Sequence, residues 1–376
     1  MIVAVDGREL QGSPTGTGRY LRNLLRIWSR TTDDGIIVYF NGPAPADPVL
    51  DHPRIVARGL APARTGLLWQ ERRLAPAIRR DAADVLFSPA YTCPLTLARP
   101  RVTAVHDLSF FAVPEDFSLR DGLRRRLLVA ASMRASAAVL ACSDFTRRQI
   151  AQWFPDLAGR VVHVPLGADD DLPAPPPRAE ARHRLAVEGP LLVTVGAIFN
   201  RRCLPVLLRA VSRLVRRHPD LVLEVVGENR TVPPLDLSRA LRSLDLDRHV
   251  RLAGFVSDPQ LADRYAAADA AVFLSEYEGF GLSVAEAMAR GVPTVISSRP
   301  ALGEIFGGAA LCVDPRDEPA VEAALERVLT EPQLRSDLAE SGRALAAGFS
   351  WSETARRTRE ALAAAAGRPQ PHPHPH

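Results

Sequence analysis

The chain contains no lysine: all 47 of its basic residues are arginine. A phosphate loop of the Walker type needs a lysine after its glycines, so that device is excluded. Together with many alanines and 32 prolines, the arginine bias is the composition of a GC-rich bacterial genome. No apolar run approaches the roughly 18 residues that span a bilayer, so no transmembrane helix is expected. The opening residues, Met1-Ile-Val-Ala-Val-Asp6, lead straight into an apolar strand without the basic region and cleavage site of a signal peptide. A cytoplasmic protein is therefore expected. Cysteine is scarce, and Cys93, Cys142, Cys203 and Cys312 never stand at metal-ligand spacing, the pattern of reduced thiols held mostly in cores. A net charge of +4 is too modest to argue for nucleic acid, and no aromatic-basic interleaving supports such binding. The basic excess suits anionic ligands or an anionic membrane surface.

What is present is a soluble enzyme's balance: 376 residues, 47% apolar and 24% charged, enough for two domains. Short apolar runs alternate with helical-period segments, the pattern of parallel sheets wrapped by helices. The first half offers strands at Ile2–Asp6, Ile36–Phe40, Val85–Ser88, Val102–His106, Ala137–Ser143 and Val161–Pro165. The second offers Leu191–Gly196, Leu221–Gly227, Val250–Phe255, Ala271–Ser275, Pro293–Ser298 and Ala309–Asp314. Several lack alternation, as expected for strands covered on both faces. Between the halves, Ala168–Arg178 is acidic and proline-rich and reads as a linker, here bounded as 169–184 between domains 1–168 and 185–349. Two doubly wound α/β halves joined this way present a cleft lined by strand C-terminal ends, where ligands of such sheets bind. The terminal stretch 367–376 alternates proline and histidine and reads as a disordered tail.

The strongest chemical signal is Ser275-Glu-Tyr-Glu278-Gly-Phe-Gly-Leu-Ser-Val-Ala-Glu286, between an expected strand and an expected helix. The turn Gly279-Phe280-Gly281-Leu282 lets backbone N–H groups approach a ligand, and the helix start behind it suits diphosphate oxygens. Glu278 and Glu286 can then accept from sugar and ribose hydroxyls. Ser283-x-x-Glu286 equally spells a capping box, which makes Glu286 structural, and both readings stand at this level. Gly196-Ala-Ile-Phe-Asn-Arg201-Arg202-Cys203 follows another strand and opens a helix, where two cations are out of place without an anion. Gly12-Ser-Pro-Thr-Gly16-Thr-Gly18 is either an anion loop or a tight strand-to-helix turn. His106 ends a strand, followed by Asp107-Leu-Ser-Phe110, and is a cleft residue or a satisfied structural histidine.

These segments together resemble retaining glycosyltransferase family 4, mannosyltransferase-like members included, over most of the chain. The resemblance implies the GT-B fold, two Rossmann-like domains facing across a cleft. It assigns Glu278 to the donor sugar and Glu286 to the ribose, and makes Arg201 and Arg202 the pair that grips the donor diphosphate. Arg202 stands where the family has lysine, Cys203 where a small polar residue is usual, and Ser283 where proline is common. Gly16 and Gly196 fall among the donor-binding positions, and His106 beside the donor sugar. Phe87–Tyr91 and Ser143–Arg147 resemble further family stretches without assigned roles, and Phe349–Arg357 resembles the helix that crosses back to the first domain, about 350–366. The implied reaction moves a hexose, mannose first, from a GDP- or UDP-linked donor to a glycan, lipid-linked or small-molecule acceptor. It proceeds with retention, with domain closure and without a metal. Asp169-x-Asp171 mimics a metal-binding acid pair but lies in the linker and reads as solvated charge. An epimerase of similar architecture and a non-catalytic sugar-nucleotide-binding subunit are the alternatives. Leu119, Leu123 and Leu127 share a helical face beside Arg120, Arg124, Arg125 and Arg126. This helix, near 119–134, either touches the inner face of the plasma membrane or packs on its own sheet with a solvated basic side.

Overall fold

The computed structural model describes residues 1–12, 16–63, 65–168 and 173–367. The acid pair at 169 and 171 and the proline–histidine tail from 368 onward lie outside the described residues. Strands β1 (Ile2–Asp6), β2 (Gly35–Asn41), β3 (Ile55–Leu60), β4 (Val85–Ser88), β5 (Arg101–Val105), β6 (Ala138–Ala141) and β7 (Val161–His163) form one sheet, in the order β3-β2-β1-β4-β5-β6-β7. A second sheet contains β8 (Leu191–Val195), β9 (Val222–Val226), β10 (Val250–Gly254), β11 (Ala270–Phe273), β12 (Thr294–Ser297) and β13 (Leu311–Val313), in the order β10-β9-β8-β11-β12-β13. All neighbouring pairs in both sheets are parallel. β4, β11 and β12 are buried at every position, which is why their sequences run apolar without alternation.

The chain divides into two compact units. The first comprises residues 1–108, 120–167 and the C-terminal segment from Ser350; the second comprises 109–119 and 168–349. Three features differ from the sequence-based expectation. Residues 109–119, placed by sequence in the first domain, cluster with the second unit. The span expected as linker ends in a helix, Arg178–Arg184, whose Arg178 and Arg182 bond to Asp269 at 2.7 and 3.4 Å. A seventh strand, β3, also joins the first sheet. Its burial pattern leaves only Ile55 buried, so it carries no apolar face for a sequence pattern to reveal.

In the first unit, helix Gly16–Thr31 buries Tyr20, Leu21, Leu24, Leu25 and Trp28. Helix Trp351–Ala365 closes over it: the Trp28 indole donates to the Ala355 carbonyl at 2.9 Å, and Thr354 Oγ1 donates to the Pro165 carbonyl at 2.7 Å. The second unit's core gathers Leu204, Leu207, Leu208 and Val211 of helix Leu204–Leu214 against Leu192, Leu223 and Val225 of the sheet.

Candidate active site

In the second sheet the strand order runs outward in opposite directions from β8 and β11. Ligands of open α/β sheets bind beyond the C-terminal ends of strands at such a switch point. The loops that leave β8 and β11 there are the two that carry the sequence's strongest signals.

After β8 the chain turns at Gly196, with φ +126°. A Cβ there would lie 2.5 Å from Arg202 Nη1, so glycine makes room for the guanidinium. Arg202 Nη1 donates to the Val195 carbonyl at 3.1 Å, and its Nη2 lies 3.0 Å from Glu278 Oε1. Ser275 Oγ donates to the same carboxylate oxygen at 2.8 Å. Arg202 Nε is buried and has no hydrogen-bond partner among the described residues. The two segments singled out separately in the sequence are thus joined through one ion pair.

Arg201 takes a different place. It is buried, its guanidinium lies 4.3 Å from the Phe199 ring centre, and its Nη1 is 3.6 Å from Asp116 Oδ2. The Arg201 backbone N–H also donates to Asp116 at 3.3 Å, and its carbonyl accepts from Glu276 N–H at 2.8 Å, stitching the two loops together. Burial pushes the Asp116 carboxyl up from its ordinary value, by more than the facing Arg201 pulls it down. Arg201 is thus a buried, paired cation and not a solvated one at a helix start. Asp116 was missed as a site residue, although Pro114–Ser118 follows the His106 segment directly. Cys203 sits in the left-handed region at φ +48° and leads into helix Leu204–Leu214; burial, with Glu276 nearby, pushes its thiol up to about 12.

After β11 the chain reaches Gly281, which caps helix Leu282–Ala289 at φ +105°. A Cβ at Gly281 would lie 2.4 Å from Leu302 Cδ2. Because Gly281 holds the cap, Ser283 is the second helical residue, and the capping box its sequence spells does not form. Glu286 is a buried carboxylate, 4% exposed, on the helix's inner side, with the Tyr265 hydroxyl 3.5 Å from its Oε2. Phe280, expected to bind donor, turns its ring into the core against Phe306 and Phe349, with ring centres 5.7 and 5.3 Å away. What it offers a ligand is its backbone; Leu282 likewise stands as the helix's first residue, and Gly279 is buried. Gly227, named in the sequence only as a strand end, follows β9 at φ +139°, where a Cβ would lie 2.2 Å from the Gly196 carbonyl oxygen. Among the described residues no group of three or more His, Cys, Asp or Glu is arranged to hold a metal ion.

In the first unit, His106 follows β5. Its Nε2 lies 2.8 Å from the Pro89 carbonyl, which can only accept, so this nitrogen carries the proton. The Tyr20 and Tyr91 rings meet it edge-on at 5.1 and 5.9 Å, and burial lowers its pKa, favouring neutral imidazole. Gly16 is the exposed first residue of helix Gly16–Thr31; residues 13–15 of its loop lie outside the described residues. Phe87 is a core residue, 5.6 Å from the Trp28 ring, and Ser143 caps helix Asp144–Trp153 through Thr146 N–H. Cys93, Cys142 and Cys203 are buried and Cys312 is exposed, all as free thiols.

Comparison with known proteins finds relatives over both halves of the chain. The "Glycosyltransferase Family 4" model matches residues 14–172 and the "Glycosyl transferases group 1" model matches 177–345. The chain is 30% identical to the O-antigen chain mannosyltransferase B of Escherichia coli, over 92% of this chain and 94% of that one. It is 31% identical to a D-inositol 3-phosphate glycosyltransferase of Kineococcus radiotolerans, over 71% and 67% of the two chains. Among solved structures, sucrose-phosphate synthase of Thermosynechococcus elongatus superposes with a TM-score of 0.79 at 20% identity, covering 96% of this chain and 97% of that one. HepE of Anabaena, solved with UDP-glucose, superposes with a TM-score of 0.76 at 21% identity, covering 96% and 99%. At these identities the superpositions speak for the fold. The chain belongs to glycosyltransferase family 4 and has the GT-B fold.

Proposed function

We propose that the protein transfers a hexose, with mannose the first candidate, from a nucleoside-diphosphate sugar to an acceptor hydroxyl, with retention at the anomeric carbon. The observation that carries this reading is the Arg202–Glu278 pair at the β8–β11 switch point, held against Gly196 and the Val195 carbonyl. Arginine, glycine amides and a helix start form an anion site, and a carboxylate beside them accepts from sugar hydroxyls. The second unit binds the donor: Glu286 takes the ribose, Glu278 the sugar, Arg202 the diphosphate, and Arg201 backs the loop with its buried charge. Gly16 and His106 of the first unit keep the roles the family resemblance gives them, a phosphate-side amide and a neutral positioning imidazole.

In this reaction the bond between the anomeric carbon and the diphosphate oxygen breaks as the acceptor oxygen bonds to the same face. The acceptor's proton passes to the departing phosphate. Negative charge grows on the diphosphate, and a preorganised guanidinium stabilises it most in the transition state. Resemblance to an O-antigen mannosyltransferase favours a glycan or lipid-linked acceptor and a GDP-linked donor; the neighbour solved with UDP-glucose keeps a UDP-linked donor in the panel.

The test is thermal unfolding with UDP, GDP, ADP and dTDP and their sugars, for wild type, Glu286→Ala and Arg202→Ala. A ligand at a hundred times its dissociation constant adds about 2.7 kcal/mol. Selective stabilisation by one nucleotide, weakened in both variants, is the expected result. Stabilisation by none of them, with or without magnesium, overturns the reading in favour of a scaffold; conversion of the donor without acceptor points to an epimerase.

A further inference from the structure

Two enclosed arginine–carboxylate pairs in the second unit differ in how tightly they close. Arg264 Nη2 meets Glu224 Oε1 at 2.7 Å, with side chains 12% and 4% exposed. Arg201 Nη1 stops 3.6 Å from Asp116 Oδ2, with side chains 8% and 7% exposed. Charged hydrogen bonds close at about 2.7–2.9 Å, and an enclosed pair held wider recovers less of what both ions lose in leaving water. Burial accordingly draws the Asp116 carboxyl towards its neutral form by more than Arg201 holds it charged.

Of the two partners, the carboxylate is the fixed one. Asp116 ends the turn Pro114–Asp116, and its N–H donates to the Val113 carbonyl at 3.1 Å. Phe110 is buried on one side of that turn, and the Phe117 ring, next to Asp116, meets it edge-on with ring centres 6.5 Å apart. The Arg201 backbone N–H donates to Asp116 at 3.3 Å, a bond that does not depend on where the arginine side chain goes. The guanidinium, by contrast, rides on a long stem with many rotamers. It stacks on the Phe199 ring at 4.3 Å, a contact that steadies a cation without neutralising it. Arg201 also lies in the turn Asn200–Arg202, one residue before the arginine assigned above to the donor diphosphate.

We propose that Asp116 is a placeholder anion, which holds the Arg201 guanidinium while the donor site is empty and yields it to the diphosphate of an incoming nucleotide sugar. The exchange presupposes that the switch point binds a nucleotide sugar, as proposed above. A diphosphate brings more charge and more acceptor oxygens than one carboxylate, and arginine meets phosphate through two short parallel bonds, so the exchange runs towards the donor. Asp116 keeps the Arg201 N–H as its partner afterwards. The carboxylate thus lowers donor affinity and keeps the arginine paired between turnovers.

The experiment measures binding of GDP, UDP and pyrophosphate by calorimetry, and melting temperature with and without each, for wild type, Asp116→Asn and Arg201→Met. Asparagine keeps the shape and an oxygen for the Arg201 N–H but gives up the charge. Empty Asp116→Asn should melt below wild type, because Arg201 loses its carboxylate, and should regain most of the difference when saturated. Its dissociation constant for the diphosphates should fall by about fivefold, since no internal anion competes. Arg201→Met should bind them about tenfold more weakly, and it decides the matter where Asp116→Asn does not fold. Weaker binding by Asp116→Asn overturns the proposal, because the carboxylate then positions Arg201 with the donor in place. Unchanged affinity in either variant overturns it as well, leaving the pair purely structural. Wild type that binds none of the three ligands removes the donor reading and the placeholder together; wild type that binds GDP or UDP while the variants match it removes the placeholder alone.

Discussion

The second unit uses arginine and glutamate in two ways. Between helix Leu204–Leu214 with the turn after it and helix Glu318–Thr330 they form a ladder: Arg213 reaches Glu318 at 2.9 Å and Glu322 at 3.5 Å, and Arg217 reaches Glu322 at 2.9 Å and Glu326 at 3.0 Å. These arginine side chains are 43% and 48% exposed, and each charge has more than one partner. At the β8–β11 switch point, Arg202 has one carboxylate, one carbonyl and a buried Nε without a partner among the described residues, on a side chain 23% exposed. The ladder is redundant and screened, so it binds two helices loosely and tolerates loss. The switch-point arginine is under-satisfied and held in place by a glycine, a configuration that costs stability and leaves donors for an incoming anion. The same two residue types serve cohesion in one place and, on the proposed function, chemistry in the other.

Substitutions at four positions would break or sharpen this contrast. The largest effect is expected for Arg202→Ala, which removes leaving-group stabilisation: turnover of nucleotide sugar, followed by release of nucleoside diphosphate, should fall by about a hundredfold or more. Arg202→Lys keeps the charge and should recover only part of that, because lysine lacks the planar fork. Next comes Gly196→Ala. The new Cβ meets Arg202 at 2.5 Å in a backbone conformation that suits glycine, so chemical unfolding should show a loss of more than about 1 kcal/mol, along with weaker nucleotide binding. A wild-type nucleotide response in this variant would separate Gly196 from the site.

The third position concerns acid. Burial keeps the folded-state pKa of His106 below its ordinary 6.5, so between those two values the unfolded chain binds the proton more readily. Its contribution is whole above pH 6.5 and is lost as pH falls towards the folded value. Melting temperatures of His106→Gln should therefore decline less steeply than wild type on going from pH 7 to pH 5; parallel curves would place the imidazole in solvent. The smallest effect belongs to the ladder: Arg213→Ala should cost under about 1 kcal/mol and leave turnover intact.

Much of this was legible in the chain itself. Unbroken apolar runs at Val85–Ser88 and Ala270–Phe273 announce strands covered on both faces, and the glycine turn before Leu282 announces a helix start. What was hidden depended on partners distant in sequence. β3 is an edge strand whose side chains mostly meet water, so it leaves no periodic trace. Ser283-x-x-Glu286 satisfies the spacing of a capping box, yet only the left-handed backbone at Gly281 shows which residue takes the cap. Arg201 and Arg202 read as an equivalent pair, and only the fold sends one into Asp116 and the other to Glu278. The pairing of Asp116 with Arg201, across 85 positions, carries no local signature.

The helix Trp351–Ala365 bears on how the molecule is made. Its Trp351, Thr354, Ala355 and Thr358 fill space in the first unit against Trp28 and Pro165, although more than 180 residues separate it from the end of β7. During synthesis the first unit leaves the ribosome with that socket empty, and the second can fold before the missing helix appears. Its first half must wait, with apolar surface uncovered, for the last segment to arrive. A fragment ending near residue 168 is accordingly a poor stand-in for that unit; one with 350–367 spliced back after a short linker should be soluble and cooperative in its melting.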